Sequence, residues 1–317
     1  MEALVIMLRN VLVFVALALP GFILVKTKII GGKESGALSK LLTYVGMPFL
    51  ILSSTLNVSF SGEFVGSIVM IGIFGMLFTV GVFFLSKFLI VKGDEEKRQG
   101  MMRFCMVFSN NGFLGLPLAK AVFGESPIVT YVIILNIITN ILMFTLGVYL
   151  ISGDKNTISL KKAFLNPVLL AFVAGIGLNL LNIKSYVPEV ATFSTHFSNV
   201  VTPLSMTILG IKMAGVKFSA LFTSWRMYFV SGMKLIVFPA LGVGILFALK
   251  LVLKIDDNMI VGFLIALAMP TAGLASTFSD QHDGDTENAV VFTLGTTILS
   301  ILTIPILYGL LNLLLLN

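Results

Sequence analysis

Charge is scarce in this chain of 317 residues: Asp, Glu, Lys and Arg make up 11%, against 57% hydrophobic residues. A water-soluble domain carries about a quarter of its residues charged to cover its surface, so that class is excluded. With a mean hydropathy of +1.04, the chain reads as a membrane protein that crosses the bilayer several times. Its single cysteine, Cys105, excludes an intrachain disulfide and sits in an apolar run as a packing residue. Only His196 and His282 supply imidazole. No HExxH, cysteine pair, GxSxG or Walker A sequence occurs, so intramembrane hydrolysis, a metal centre and ATP-driven work on this chain have no support. No Asp or Glu stands in the middle of an apolar run, so no acidic proton relay or Asp-based sodium site is visible. Backbone carbonyls at a helix break remain able to hold sodium. No cofactor is expected beyond a coupling proton or sodium ion. The net charge of +6 does not point to nucleic acid, because the basic residues cluster between apolar runs as topology signals do.

Those runs are long. Residues 41–62, 64–86, 126–153, 163–183, 190–211, 258–279 and 288–317 contain no Asp, Glu, Lys or Arg, and 10–25, 104–119 and 235–249 extend past one flanking charge. A helix crossing about 30 Å of hydrocarbon needs about 20 apolar residues. Ten spans follow: 6–26, 38–57, 66–91, 101–123, 127–151, 165–183, 189–214, 225–250, 257–279 and 287–316. The start lacks a basic n-region and a small-residue cleavage site, and reads as span 1 rather than a signal peptide.

Alternate loops, counted with their helix ends, differ in charge. Those after spans 1, 3, 5, 7 and 9 hold fifteen Lys and Arg; the opposite side holds Arg9, Lys120, Lys184, Lys250 and Lys254. The richer side faces the cytoplasm, which places both termini outside in the cell membrane. Lys234 is left inside span 8. A buried ammonium is costly unless paired, wet or snorkelling, so it either attracts an anion, replaces a coupling cation or reaches for the interface.

Prolines inside spans free carbonyls that lipid does not satisfy. Pro48 and Pro117 lie 69 residues apart in spans 2 and 4; Pro203 and Pro270 lie 67 apart in spans 7 and 9. A shift of about 154 residues superposes the pairs, and each half holds five spans. An odd number inverts the second unit, and inverted repeats with interrupted helices mark secondary transporters. The first repeat is 1–152, a short cytoplasmic linker is 153–164, and the second repeat is 165–317.

Span 4 reads FCMVFSNNGFLGLPLAKAVF and span 9 MIVGFLIALAMPTAGLASTFS. Both hold glycine and proline near the middle, beside amides or hydroxyls. Non-helical backbone at that depth is buried in protein or lines a wet cavity, and its free N–H groups at a positive helix end suit a carboxylate. Candidate binding residues in span 4 are Asn110, Asn111, Gly112, Gly115 and Pro117. Those in span 9 are Pro270, Thr271, Ala272 and Ser276. The alternative for these residues is a glycine-packed kink with amides bridging helices. Asn136 and Asn140 share a face of span 5, and Thr296 and Ser300 share a face of span 10. They either line the same cavity or bond helix to helix.

SNNGFLGLPL (109–118) resembles the span-4 motif of the auxin efflux carrier family, which includes plant PIN carriers and bacterial malate or malonate permeases. TTILSILTIPILY (296–308), PLSMTILGIKM (203–213) and Lys234-Leu235 followed by Pro239 are similar to that family's spans 10, 7 and 8. The resemblance covers the whole chain. Residues 152–164 stand where plant members have a long loop, as in short bacterial members. The resemblance implies an all-α membrane protein of ten helices in two inverted five-helix repeats. Spans 1, 2, 6 and 7 form a scaffold that makes a homodimer, and spans 3–5 and 8–10 form a moving transport domain. Broken spans 4 and 9 cross at their prolines, Pro117 and Pro270, in an elevator arrangement shared with NhaA-type and bile-acid-type carriers. A small carboxylate binds near that crossing, with Asn110 at the family's asparagine position. Span 9 has no asparagine beside Pro270, so the two half-sites are not equivalent. The expected function is a carrier of small organic anions, with a sodium-coupled bile-acid-type carrier or a non-transporting membrane sensor as alternatives.

Overall fold

The computed structural model describes residues 2–31, 35–56, 61–90, 94–158, 161, 164–215 and 223–316. Of the basic residues weighed for topology, Lys33, Lys92, Lys162 and Lys217 lie outside them, as does part of the 153–164 linker. The described residues are almost wholly helical: α1 (Glu2–Lys26), α2 (Ser35–Leu41), α3 (Met47–Thr55), α4 (Gly62–Ser86), α5 (Glu96–Val107), α6 (Leu116–Phe123), α7 (Pro127–Leu142), α8 (Val148–Ser152), α9 (Pro167–Leu180), α10 (Ile183–Tyr186), α11 (Pro188–Ala214), α12 (Trp225–Gly232), α13 (Phe238–Lys250), α14 (Asp257–Leu267), α15 (Ala275–Gln281) and α16 (Thr286–Leu316). Helix starts carry side-chain caps where the sequence offers them. Ser61, Asn166, Ser224 and Asp256 each accept from a backbone N–H one turn into the helix.

Four π turns occur among the described residues: Leu42–Gly46, Met143–Gly147 and Met233–Val237 join successive helices into continuous rods, and Asn111–Gly115 leads into α6 after a break. Three of them end two residues before a proline, at Pro48, Pro117 and Pro239. Proline lacks the N–H for the carbonyl one turn back and its ring presses on that carbonyl. A widened turn ahead of it relieves both, so the helix bends rather than stops.

Six helical runs are long and apolar enough to cross a membrane: Leu8–Lys26, Gly36–Thr55, Gly62–Ser86, Pro127–Ser152, Trp225–Lys250 and Thr286–Leu315. The other four predicted spans take different forms. Span 6 is a 14-residue helix, α9. Span 7 is the 27-residue α11, rich in Ser and Thr. Spans 4 and 9 are interrupted, span 4 between α5 and the Asn111 turn and span 9 between α14 and α15. The prolines that set the 154-residue shift also differ in role. Pro203 lies within the unbroken α11, whereas Pro48 follows a π turn.

Packing falls into two sets. In one, α1 lies along α11, and α3 packs on α9 and α11. Gly21 and Gly210 allow the α1–α11 approach, because a Cβ at either would collide with a carbonyl of the facing helix, Thr207 O or Ala18 O. In the other set, α7 packs on α4 and α14, α16 on α5, α12 and α15, and α13 on α14. The sets meet where α1 touches α6 and α16, where α11 touches the Asn111–Gly115 turn, and where α3 touches α7. An ionic cluster closes one end of the second set. Arg226 donates to both Asp94 oxygens at 2.6 and 2.8 Å, and Arg98 reaches Asp94 at 3.4 Å and Asp285 at 3.6 Å. The Arg226 hydrogen bonds hold the Asp94 carboxyl below the usual carboxylate range.

Candidate functional site

The two interruptions meet face to face. Helix α5 ends at Val107, and the chain runs extended through Phe108–Asn110 before the Asn111 turn. In the other interruption α14 ends at Leu267 and α15 begins at Ala275. Ser109 and Thr271 form an antiparallel bridge, the one strand-like pairing among the described residues. Asn110 N donates to Pro270 O at 2.8 Å, and Ala272 N donates to Phe108 O at 3.0 Å. Each break thus satisfies part of the other's exposed backbone, as non-helical backbone at bilayer depth requires.

This geometry revises the expected crossing. Pro270 is at it, but Pro117 is not. Pro117 sits buried in the first turn of α6, past the π turn, and the chain opens eight residues earlier at Ser109. Gly115 packs tightly on Met269 rather than facing a cavity, since a Cβ there would stand 3.0 Å from Met269 Cγ.

A cavity of about 50 Å³ lies beside the crossing. Among the expected residues it gathers Asn110, Gly112, Asn136, Asn140 and Ala272, together with Ser109, Thr43, Thr139 and Asn166. That volume holds a few waters rather than an organic anion. The N–H groups of Asn111, Gly112 and Phe113 open the second half-helix and have no acceptor within it. Asn140 Nδ2 donates to Asn136 Oδ1 at 3.0 Å and to Asn136 O at 2.8 Å. Asn136 Nδ2 is buried with no partner. An unsatisfied buried donor costs about 1–3 kcal/mol, which a bound acceptor would recover.

Other expected residues serve the frame. Asn111, 3% exposed, donates to Thr139 Oγ1 at 3.1 Å and so ties this turn to α7. Thr271 is fully buried; its Oγ1 donates to Cys105 O at 3.0 Å and its N–H to Thr296 Oγ1 at 3.1 Å. Ser300 donates to Thr297 O and lines an apolar cavity instead. Ser276 lies in a second polar cavity, of about 40 Å³, which it shares with Asn110.

Lys234 does not snorkel. It is 2% exposed, and its Nζ donates to Ser109 Oγ at the crossing. Its π turn before Pro239 aims it inward. Sequence reasoning passed over Ser109, whose only signal was its place beside Asn110. It also passed over Lys212, which was counted with loop charges. Lys212 lies within α11 and donates to Gly273 O at 2.9 Å in the second break.

Comparison with known proteins points to membrane transport. Residues 5–159 match the family described as Membrane transport protein, and residues 206–316 match the Sodium Bile acid symporter family. A protein named "Uncharacterized transporter" from Methanothermobacter thermautotrophicus is 27% identical over 306 residues, covering 94% of this chain and 96% of its own. The chain is a multi-pass membrane transporter. The first of these matches spans residues 5–159, the stretch that holds the motif SNNGFLGLPL, and is in line with the resemblance to auxin efflux carriers.

Proposed function

We propose that the protein is a secondary carrier of small carboxylates that works by elevator-type displacement, and that it is no enzyme. The observation that carries this reading is the buried Asn136 Nδ2, without a partner among the described residues, in one cavity at the crossing with Asn110 and with Gly112 and Phe113, whose N–H groups open the second half-helix. A neutral donor set without a carboxylate suits an anion. The two packing sets support a division into scaffold (spans 1, 2, 6 and 7) and transport domain (spans 3–5 and 8–10), in ten helices forming two inverted repeats. On this reading the transport domain slides along α1 and α11 and carries the crossing with it. The exposed apolar side chains of α9, among them Leu170 and Val173, suit a homodimer contact through the scaffold. The charge asymmetry of the loops supports a cell-membrane protein with both termini outside.

The experiment is uptake of labelled mono- and dicarboxylates into proteoliposomes. Saturable flux that falls ten- to a hundredfold in Asn110→Ala, roughly the loss of a hydrogen bond to a charged group, is expected. Normal flux in that variant contradicts the site. A second reading, sodium coupling, is favoured by the match of residues 206–316 to the sodium bile acid symporter family. Running the assay with and without sodium separates the two: flux that needs sodium supports coupling, and equal flux supports a sodium-independent carrier.

A further inference from the structure

The Asn110 side chain borders two polar cavities, and the second is chemically unlike the first. It is lined by Lys212 of α11, Ser276 of α15, and Thr293 and Thr297 of α16, with Asn110 and Gly273 between. Lys212 uses one of its three N–H donors on Gly273 O. No ion pair within 4.0 Å engages it among the described residues; the carboxylate whose field reaches it is Asp280, on α15. Thr293, 7% exposed, has a hydroxyl without a partner. An ammonium with spare donors and an orphaned buried hydroxyl therefore share one space of about 40 Å³.

That space adjoins a third cavity of about 220 Å³, and the two share Leu114, Met206, Leu209 and Thr297. Apart from Thr297 and Ser300, this third cavity is walled by apolar side chains of α1, α6, α11 and α16, among them Phe14, Ala18 and Ile304. An engineered apolar cavity of about 150 Å³ takes up a benzene molecule. The space here has room for a hydrocarbon of about six to eight carbons by that measure. It lies along the seam where the two packing sets meet.

We infer that Lys212 and Thr293 form an anion-binding site for an aliphatic monocarboxylate whose chain lies in the apolar cavity, distinct from the amide cavity at Asn136 and Asn140. The head group takes the spare Lys212 and Thr293 donors, and the chain leaves water for the apolar walls. A dicarboxylate is disfavoured because its second charge would enter the apolar cavity unpaired. Since Lys212 belongs to α11 while Gly273 belongs to the break, a carboxylate on the spare donors sits beside the contact that joins the two packing sets. The inference deepens the carboxylate-carrier reading and rests on it for its meaning in transport, but the site itself is measurable without flux.

The test is equilibrium binding of labelled octanoate to the purified full-length protein in nanodiscs, corrected for empty nanodiscs, with octanol and succinate as competitors. Saturable octanoate binding is expected, displaced by neither competitor at tenfold excess. Lys212→Gln should weaken it at least tenfold and Lys212→Arg less than threefold. Ala18→Leu, which fills the apolar cavity, should weaken it several-fold, and Asn136→Ala should leave it unchanged. Octanoate binding that survives both Lys212→Gln and Ala18→Leu overturns the inference, as does displacement by octanol, which would show a lipid-filled space only. Size-exclusion profiles of the variants and the Arg rescue separate loss of binding from loss of fold. If no carboxylate is transported yet octanoate binds as described, the carrier reading fails and this site stands. If carboxylates are transported and octanoate does not bind, this site fails alone.

Discussion

The two breaks at the crossing face each other across one backbone bridge, yet they spend their polar groups differently. In the first, the Asn110 side chain makes no hydrogen bond among the described residues, and Gly112 and Phe113, whose N–H groups open the second half-helix, line the cavity with it. The second commits several of its groups to structure: Thr271 Oγ1 to Cys105 O, Thr271 N to Thr296 Oγ1, Pro270 O to Asn110 N, and Gly273 O to Lys212. Matching prolines in the two halves thus do not mean matching duties. One break leaves donors open while the other bonds into the surrounding frame.

The sharpest way to break this comparison is to remove the same kind of group from each side. Asn110→Ala should lower carboxylate affinity about ten- to a hundredfold with little change in melting temperature. The prolines come next. Pro270→Ala restores an N–H and lets α14 continue into the crossing, so flux should fall several-fold; Pro117→Ala, beyond the crossing and behind a π turn, should change it about twofold or less. Equal losses would restore Pro117 to the site. Thr271→Val should do the converse of Asn110→Ala, costing about 1 kcal/mol of stability through the lost bond to Cys105 O while leaving substrate affinity unchanged; a thermal melt and a binding isotherm read both. The smallest effect belongs to the ionic cluster far from either break. Its Asp94 carboxyl is held below the ordinary value of 3.8, so its stabilisation is present above that value and fades as pH falls through the lower folded value. Asp94→Asn should flatten that acid-side fall in stability and leave affinity at neutral pH unchanged.

Much of this contrast was written in the sequence. Asn110 and Gly112 are conspicuous in a run otherwise suited to hydrocarbon, and Asn136 and Asn140 share one helix face by spacing alone. The location of the chain opening was not legible. Proline marks a bend, and the π turn before Pro117 absorbs it, so the opening falls at Ser109 instead. Asn111 looks identical to Asn110 in sequence but points to Thr139 across the turn, a direction fixed only by packing. Lys212 was hidden because a basic residue at the end of an apolar run reads as a loop charge. Only the placement of Gly273 against α11 reveals its contact.

The most direct test of the central claim is concentration-dependent uptake of labelled carboxylates by proteoliposomes of wild type, Asn110→Ala and Thr271→Val, prepared in parallel with their thermal melts. Saturable wild-type flux is expected, with a ten- to hundredfold loss in Asn110→Ala at unchanged melting temperature and wild-type affinity in Thr271→Val at a lowered one. Wild-type affinity in Asn110→Ala, or an equally deep loss of affinity in Thr271→Val, would contradict that claim.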